Sequence, residues 1–180
     1  FPAWLSAMEQ TVGERITSFA ALCAVLKRRI AFFDSLGCRA SDHAFTHVPY
    51  AEATEPQLEE IFEKGAEGES LSQWELDAYR TALLQVLARE YARLGWGMEL
   101  HIGAMRNNNT RMFKALGPDT GYDSCADDTA VQNLSPLLDS LEVEGNLPKT
   151  ILFALNPKDN YVLGTMLGNF QNDDAPGKLQ

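Results

Sequence analysis

The residues of this chain that could carry out chemistry are polar side chains that follow short apolar segments. Asp42 and His43 come directly after residues 38–41, which have the length of a short strand. His101 lies near the end of the segment 98–102, where strand alternation places it on the opposite face from its apolar neighbours. A histidine at the end of a strand is typical of a metal ligand or a proton carrier, although a single one is more often structural.

A polar loop follows His101 and carries cations and amides that could hold an anion. These side chains are Arg106, Asn107, Asn108, Asn109 and Arg111. The two arginines could bind a carboxylate in bidentate fashion. Each could equally form a structural ion pair in so acidic a chain, and the asparagines could satisfy the loop backbone. The loop therefore predicts a site for a small anionic molecule, with a structural role as the alternative.

Other polar residues have simpler interpretations. Asp42 could cap a turn, and His43 could be a satisfied polar residue. His47 lies in a predicted loop and is expected to be exposed to solvent. Cys125 has no dedicated base near it in the sequence, which favours an inert thiol. No glycine pattern typical of phosphate binding is present.

Composition restricts the classes of function. The chain has 180 residues, 45% of them hydrophobic, and a net charge of −10. This charge argues against a nucleic-acid partner and disfavours an anionic membrane surface. Three cysteines without a CxxC pair suit the reducing cytoplasm, and no apolar run is long enough to span a bilayer. The first residue is not methionine, which suggests a fragment.

Helical and strand patterns alternate along the chain. Helices are predicted at 3–10, 16–36, 56–64, 73–94, 110–116, 134–144 and 157–169, and strands at 38–41, 98–102 and 150–155, with a partial strand at 177–180. Strands joined by helices indicate a parallel sheet with right-handed crossovers. A doubly wound sheet and a (β/α)8 barrel both fit this order, and both place chemistry at the carboxyl ends of the strands. Asp42 and His101 are therefore expected at the same rim, facing a shared hollow.

Four segments carry a family resemblance. They are FFDSLGCRASDHAF (32–45), HIGAMRNNNTRMFKALGPDTGYDS (101–124), LPKTILFALNPKDNYVLGTMLGNFQ (147–171) and PGKLQ (176–180). Together they resemble uronate isomerase, also called glucuronate isomerase, of the amidohydrolase superfamily. The resemblance implies an α/β fold, a partial (β/α)8 TIM barrel in which residues 1–180 form about strands four to seven with their helices. Residues 44–95 would then be a mainly helical insertion between strands four and five.

The resemblance also implies an activity. Members of this family interconvert D-glucuronate with D-fructuronate, and D-galacturonate with D-tagaturonate, by proton transfer through an enediol. The implied catalytic residues are His101 and Asp42, the implied substrate-binding residues Arg106, Asn107, Asn108 and His43. His101 could also bind one divalent metal, zinc in this family, whose other ligands would lie outside this chain.

The expected partners combine the implied substrate with the charge, the cysteine content and the exposed strand edges of a barrel arc. They are a small-molecule hexuronate and further copies of the same protein, in the cytoplasm, with no nucleic acid and no membrane. The 180-residue chain alone is expected to be inactive. Two alternatives stay open: a metal-dependent hydrolase on the same barrel, and a non-catalytic fragment.

Overall fold

A computed structural model describes residues 1–127, 130–173 and 175–180. Its helices are α1 (Pro2–Val12), α2 (Phe19–Ser35), α3 (Glu55–Glu67), α4 (Gln73–Leu94), α5 (Thr110–Leu116), α6 (Ala130–Glu142) and α7 (Pro157–Leu167), followed by a 3-10 turn at Gly168–Phe170. Its strands are β1 (Ala40–Phe45), β2 (Gly97–Ile102), β3 (Ala104–Met105), β4 (Ser124–Cys125) and β5 (Lys149–Ala154).

The main sheet is parallel, as predicted, and its strand order is β1-β2-β5. Strand β2 lies in the centre and pairs residue for residue with both neighbours. Residues 178–180 extend the sheet beyond β5, where Leu179 forms a parallel bridge with Thr150. The Thr150 amide donates to the Lys178 carbonyl at 2.8 Å, and the Gln180 amide donates to the Thr150 carbonyl at 2.9 Å. The partial fourth strand is therefore present.

Alternation along β2 decides which face of the sheet is covered. Met98, Leu100 and Ile102 are buried, and they pack with four leucines of α6 and with Tyr91 and Trp96. Burial of this apolar area on one face is the main force that holds the helices against the sheet. A second apolar cluster joins α1, α2 and α3.

Local signals place the helix ends. Ser72 and Glu75 form the predicted capping box at the start of α4: the Ser72 amide donates to Glu75 Oε2 at 2.7 Å, and the Glu75 amide donates to Ser72 Oγ at 3.3 Å. These bonds from Ser72, with Lys64 beside them, lower the pKa of Glu75 to about 2. Gly95 ends α4 with φ +70°, a backbone conformation that glycine adopts without strain.

Several elements differ from the sequence prediction. Strand β1 begins at Ala40 and runs to Phe45, so Asp42 and His43 lie inside the strand instead of after it. Pairing with β2 overrides the low strand propensity of this segment. Helix α3 continues through Gly65 to Glu67, and Gly68 is its C-cap. The antiparallel pair β3–β4 is absent from the sequence prediction.

Helix α6 also differs from its predicted bounds, because it begins four residues earlier than expected and contains Pro136. In the described part of the chain, no helix combines the length and the apolar character that crossing a membrane requires.

Candidate active site

The candidate site lies on the face of the main sheet that the α6 cluster does not cover. We call this the open face, and by strand alternation it comprises Ala40, Asp42, Ala44, Gly97, Glu99, His101, Lys149, Ile151 and Phe153. Each of these residues is partly or fully exposed. Titratable side chains from all three strands therefore share one surface.

Asp42 and His101 form the closest polar contact on the open face. Oδ1 of Asp42 lies 2.7 Å from Nδ1 of His101, and both side chains are largely exposed. A carboxylate accepts hydrogen bonds, so in the neutral imidazole Nδ1 donates to Asp42 and Nε2 keeps a lone pair. The predicted meeting of these two groups on one parallel sheet is confirmed. The arrangement leaves Nε2 as an oriented proton acceptor.

His43 lies on the opposite face of β1 from its neighbour Asp42. Its ring packs 6.5 Å from that of Phe45 and 5.8 Å from that of Tyr91, centroid to centroid. Burial lowers the pKa of His43, while the nearby Asp42 acts in the other direction. The structure separates His43 from Asp42 and His101, so it does not support the predicted substrate contact of His43.

Arg106 is occupied by carboxylates of its own loop. Its Nη1 donates to Asp119 Oδ1 at 3.0 Å and to Asp123 Oδ2 at 3.3 Å. Asp123 Oδ1 also accepts from the backbone amide of Asn107 at 2.7 Å. These contacts match the structural alternative for Arg106, and binding of a substrate carboxylate by this residue stays a prediction.

The asparagines of the loop hold the β3–β4 hairpin together. Asn108 Nδ2 donates to the Met105 carbonyl at 2.8 Å and to Ser124 Oγ at 2.9 Å. Asn109 caps α5 by accepting from the Met112 amide at 3.1 Å. Arg111, in the first turn of α5, is exposed, and its side chain forms no hydrogen bond or ion pair within the described ranges. Arg111 is thus a loop cation that no described carboxylate neutralises.

Comparison with known proteins decides the family. The profile of the glucuronate isomerase family matches residues 1–180. The chain belongs to the glucuronate isomerase family. It is 50% identical over 180 residues to the uronate isomerase of Caldicellulosiruptor saccharolyticus, of which it covers 39%. It is 49% identical over 181 residues to that of Salmonella newport, of which it covers 38%.

Solved structures of the family support the same conclusion. The uronate isomerase of Thermotoga maritima superposes with a TM-score of 0.88 at 26% identity, covering 99% of this chain and 38% of that one. The glucuronate isomerase of Caulobacter crescentus shares the fold, with a TM-score of 0.76 at 24% identity over 88% of this chain and 33% of that one. This member of the glucuronate isomerase family therefore spans about two fifths of the length of its relatives.

Two residues of this isomerase-family chain differ from the sequence prediction. His47 is only half exposed, and its Nε2 lies 3.6 Å from Asp77 Oδ2 and 3.3 Å from Asn133 Nδ2. Phe153 was not predicted as a site residue, yet its ring stacks on that of His101 with 4.5 Å between centroids. Phe153 lies within the apolar run TILFAL (150–155), which shows no alternation from which its face could be predicted.

The described residues contain no complete metal site. No group of three or more histidine, cysteine or acidic side chains in the described residues could hold a metal ion. Asp42 and His101 supply two donors at most, and Nδ1 of His101 is already bonded to Asp42. We therefore derive no chemical step that passes through a metal.

Proposed function

We propose that this chain is part of a uronate isomerase that interconverts D-glucuronate with D-fructuronate and D-galacturonate with D-tagaturonate. The family membership and the parallel sheet support this proposal. In the whole protein the chain would form about strands four to seven of a (β/α)8 barrel, with α3 and α4 inserted between strands four and five. The open face would then line the barrel interior, the side toward which such enzymes direct their chemistry.

The observation that carries the proposal is the contact between Asp42 and His101. Aldose–ketose isomerisation removes a proton from C2 of the open-chain sugar and returns one to C1, through a cis-enediol. The C2–H bond breaks, its electron pair forms the C1=C2 bond, and the C1=O π bond opens as O1 takes a proton. In the second half the O2 hydroxyl gives up its proton, the C2=O bond forms, and the C1=C2 electron pair takes the proton returned at C1, so that one proton passes overall from O2 to O1. Nε2 of His101 accepts the C2 proton and delivers it to C1. Asp42 stabilises the imidazolium that forms between the two steps.

The reaction also requires that the substrate carboxylate be bound and that the carbonyl be polarised. The substrate carboxylate would be held by the loop, with Arg106 and Arg111 as the candidate cations and Asn107 and Asn108 beside them. A divalent metal, zinc by family resemblance, would polarise the substrate carbonyl and would take its ligands mainly from other parts of the protein. The full-length enzyme would act on a small hexuronate in the cytoplasm and would form homo-oligomers.

Uronate conversion by the full-length protein tests the role of His101. The His101→Gln variant should lower kcat by about 10²- to 10⁴-fold, the usual contribution of a positioned acid–base group. It should also abolish exchange of the substrate C2 proton with solvent deuterium. His47→Gln is the matched control, since it removes a histidine away from the open face. If His101→Gln retains wild-type kcat and exchange, the proposed mechanism is wrong.

The same assay on the 180-residue chain tests whether this chain alone contains a complete active site. We expect conversion of glucuronate by the full-length protein and none by this chain, because the metal ligands and part of the carboxylate site would be missing. Turnover by the 180 residues alone would show that the described groups suffice for catalysis.

A further inference from the structure

Phe153 is a large aromatic residue left 41% exposed on the open face. Its strand neighbours Leu152 and Ala154 pack against the main apolar cluster, and Phe153 does not belong to that cluster. An exposed phenyl ring beside polar side chains gains little from burial. Its contact with His101 provides a different reason for its presence.

The sheet register brings two different neighbours to His101. On the β1 side His101 pairs with Ala44, and on the β5 side it pairs with Phe153. The Ala44 side chain is a single methyl group, so Asp42, two residues earlier on the same face, can reach Nδ1 of the imidazole. On the other side the Phe153 ring lies 4.5 Å from the imidazole and within 9° of parallel. His101 is thus contacted from both flanking strands.

The two contacts restrain different motions of the imidazole. The hydrogen bond to Asp42 fixes the position of Nδ1, but it still permits limited rotation of the ring about its Cβ–Cγ bond, because a hydrogen bond tolerates a range of angles. A parallel aromatic ring against one face of the imidazole removes that rotation, because turning the imidazole would separate the two stacked surfaces. Catalysis by proton transfer requires such a fixed direction of the acceptor atom.

We propose that Phe153 is a positioning residue that, together with Asp42, holds the His101 imidazole in one orientation and so fixes the direction of Nε2. The kinetic consequence rests on the function proposed above. The restraint on the ring does not, since it can be measured without substrate.

Histidine-selective NMR of the 180-residue chain, at concentrations below those at which it self-associates, tests the restraint directly. The chain has three histidines, so His101 can be assigned from the signals that His101→Gln removes. In the wild type, the His101 ring protons should form one sharp set, shifted upfield by the Phe153 ring current. Phe153→Leu should move these signals downfield and broaden them, whereas Phe153→Tyr should preserve them. Unchanged His101 signals in Phe153→Leu, or signals that move downfield without broadening, would overturn the proposal.

Kinetics of the full-length protein test the consequence. Phe153→Leu should lower kcat by about three- to tenfold, the range that corresponds to loss of one aromatic stack. KM should change by less than about twofold, because the interaction acts through His101 and not on bound substrate. Phe153→Tyr should restore kcat. An increase in KM with unchanged kcat would mean that the ring contacts substrate instead, and would reject the positioning role.

The two tests separate the inference from the proposed function. A wild-type full-length protein that fails to isomerise uronates would reject the proposed function, while the NMR result would still decide whether Phe153 orients His101. The double variant Asp42→Asn/Phe153→Leu should lose less kcat than the product of the single losses, because both residues act on the same ring. Fully independent effects would contradict a shared action on His101.

Discussion

Asp42 and His43 are adjacent in sequence, but strand geometry places their side chains on opposite faces of the sheet. Successive side chains of a strand point to opposite faces, so Asp42 meets His101 on the open face while His43 packs against Tyr91. The predicted strand ended at residue 41, and in that frame both residues belonged to one loop. Adjacency in sequence therefore suggested a shared location that the actual strand bounds do not support.

The half-buried position of His43 predicts a dependence of stability on pH. Nε2 of His43 is buried and has no hydrogen-bond partner among the described residues, and burial lowers its pKa from 6.5. Between the folded and unfolded pKa values the unfolded chain binds more protons, so protonation favours unfolding. The wild type should lose stability relative to His43→Phe as the pH falls through 6.5 and below.

Urea unfolding of the two chains at pH 7.5, 6.5 and 5.5 measures this effect. The quantity to compare is the difference in free energy of unfolding between His43→Phe and the wild type. We expect this difference to shift in favour of the variant at each lower pH. A difference that stays constant with pH would show that His43 titrates equally in both states.

At the scale of elements, the loop between β2 and β5 shows where sequence prediction succeeds and fails. Asn109 caps the N-terminus of α5, a role that asparagine commonly has. Local signals of this kind were enough to predict most helix bounds to within a few residues. The β3–β4 hairpin joins Ala104 with Cys125 across twenty intervening residues. Two-residue strands have no periodicity to detect, and their pairing depends on distant hydrogen bonds.

The ion pairs of Arg106 predict a measurable role in holding this hairpin. Arg106→Ala removes the contacts to Asp119 and Asp123, so the amides of Asn107 and Asn108 should exchange with solvent deuterium faster. An exposed ion pair is worth about 0.2–1 kcal/mol, which corresponds to at most about fivefold in exchange rate. Arg111→Ala is the matched control, because Arg111 has no such contacts in the described part of the loop.

Hydrogen exchange with mass spectrometry of peptides from residues 103–127 makes the comparison. Equal exchange in both variants would show that Arg106 does not stabilise the hairpin, and would strengthen the prediction that it binds the substrate carboxylate.

At the scale of the whole molecule, the alternation of strands and helices was enough to predict the parallel sheet. It was also enough to place Asp42 and His101 together, because parallel strands joined by crossovers share one orientation. The stacking of Phe153 on His101 could not be predicted, since it depends on the exact register of β2 against β5. Register is set by the packing of a whole face and not by any short motif.

The sheet ends in a strand whose outer edge is open, and this predicts self-association of the 180-residue chain. Strand β1 pairs only with β2 in the described part of the chain. The carbonyls of Arg39 and Phe45 accept hydrogen bonds from Gly97 and Gly103 at the two ends of β2. Even-numbered residues of β1 therefore direct their backbone groups outward, where a second copy can pair with them.

Sedimentation velocity over a range of protein concentrations tests this edge pairing. The wild-type chain should show a sedimentation coefficient that rises with concentration. Ala44→Pro removes an outward amide without removing a hydrogen bond to β2, and it should reduce the association. The full-length protein should be insensitive to this edge effect if further strands cover β1, as in a closed barrel. A wild-type chain that stays monomeric at all concentrations would contradict an exposed pairing edge.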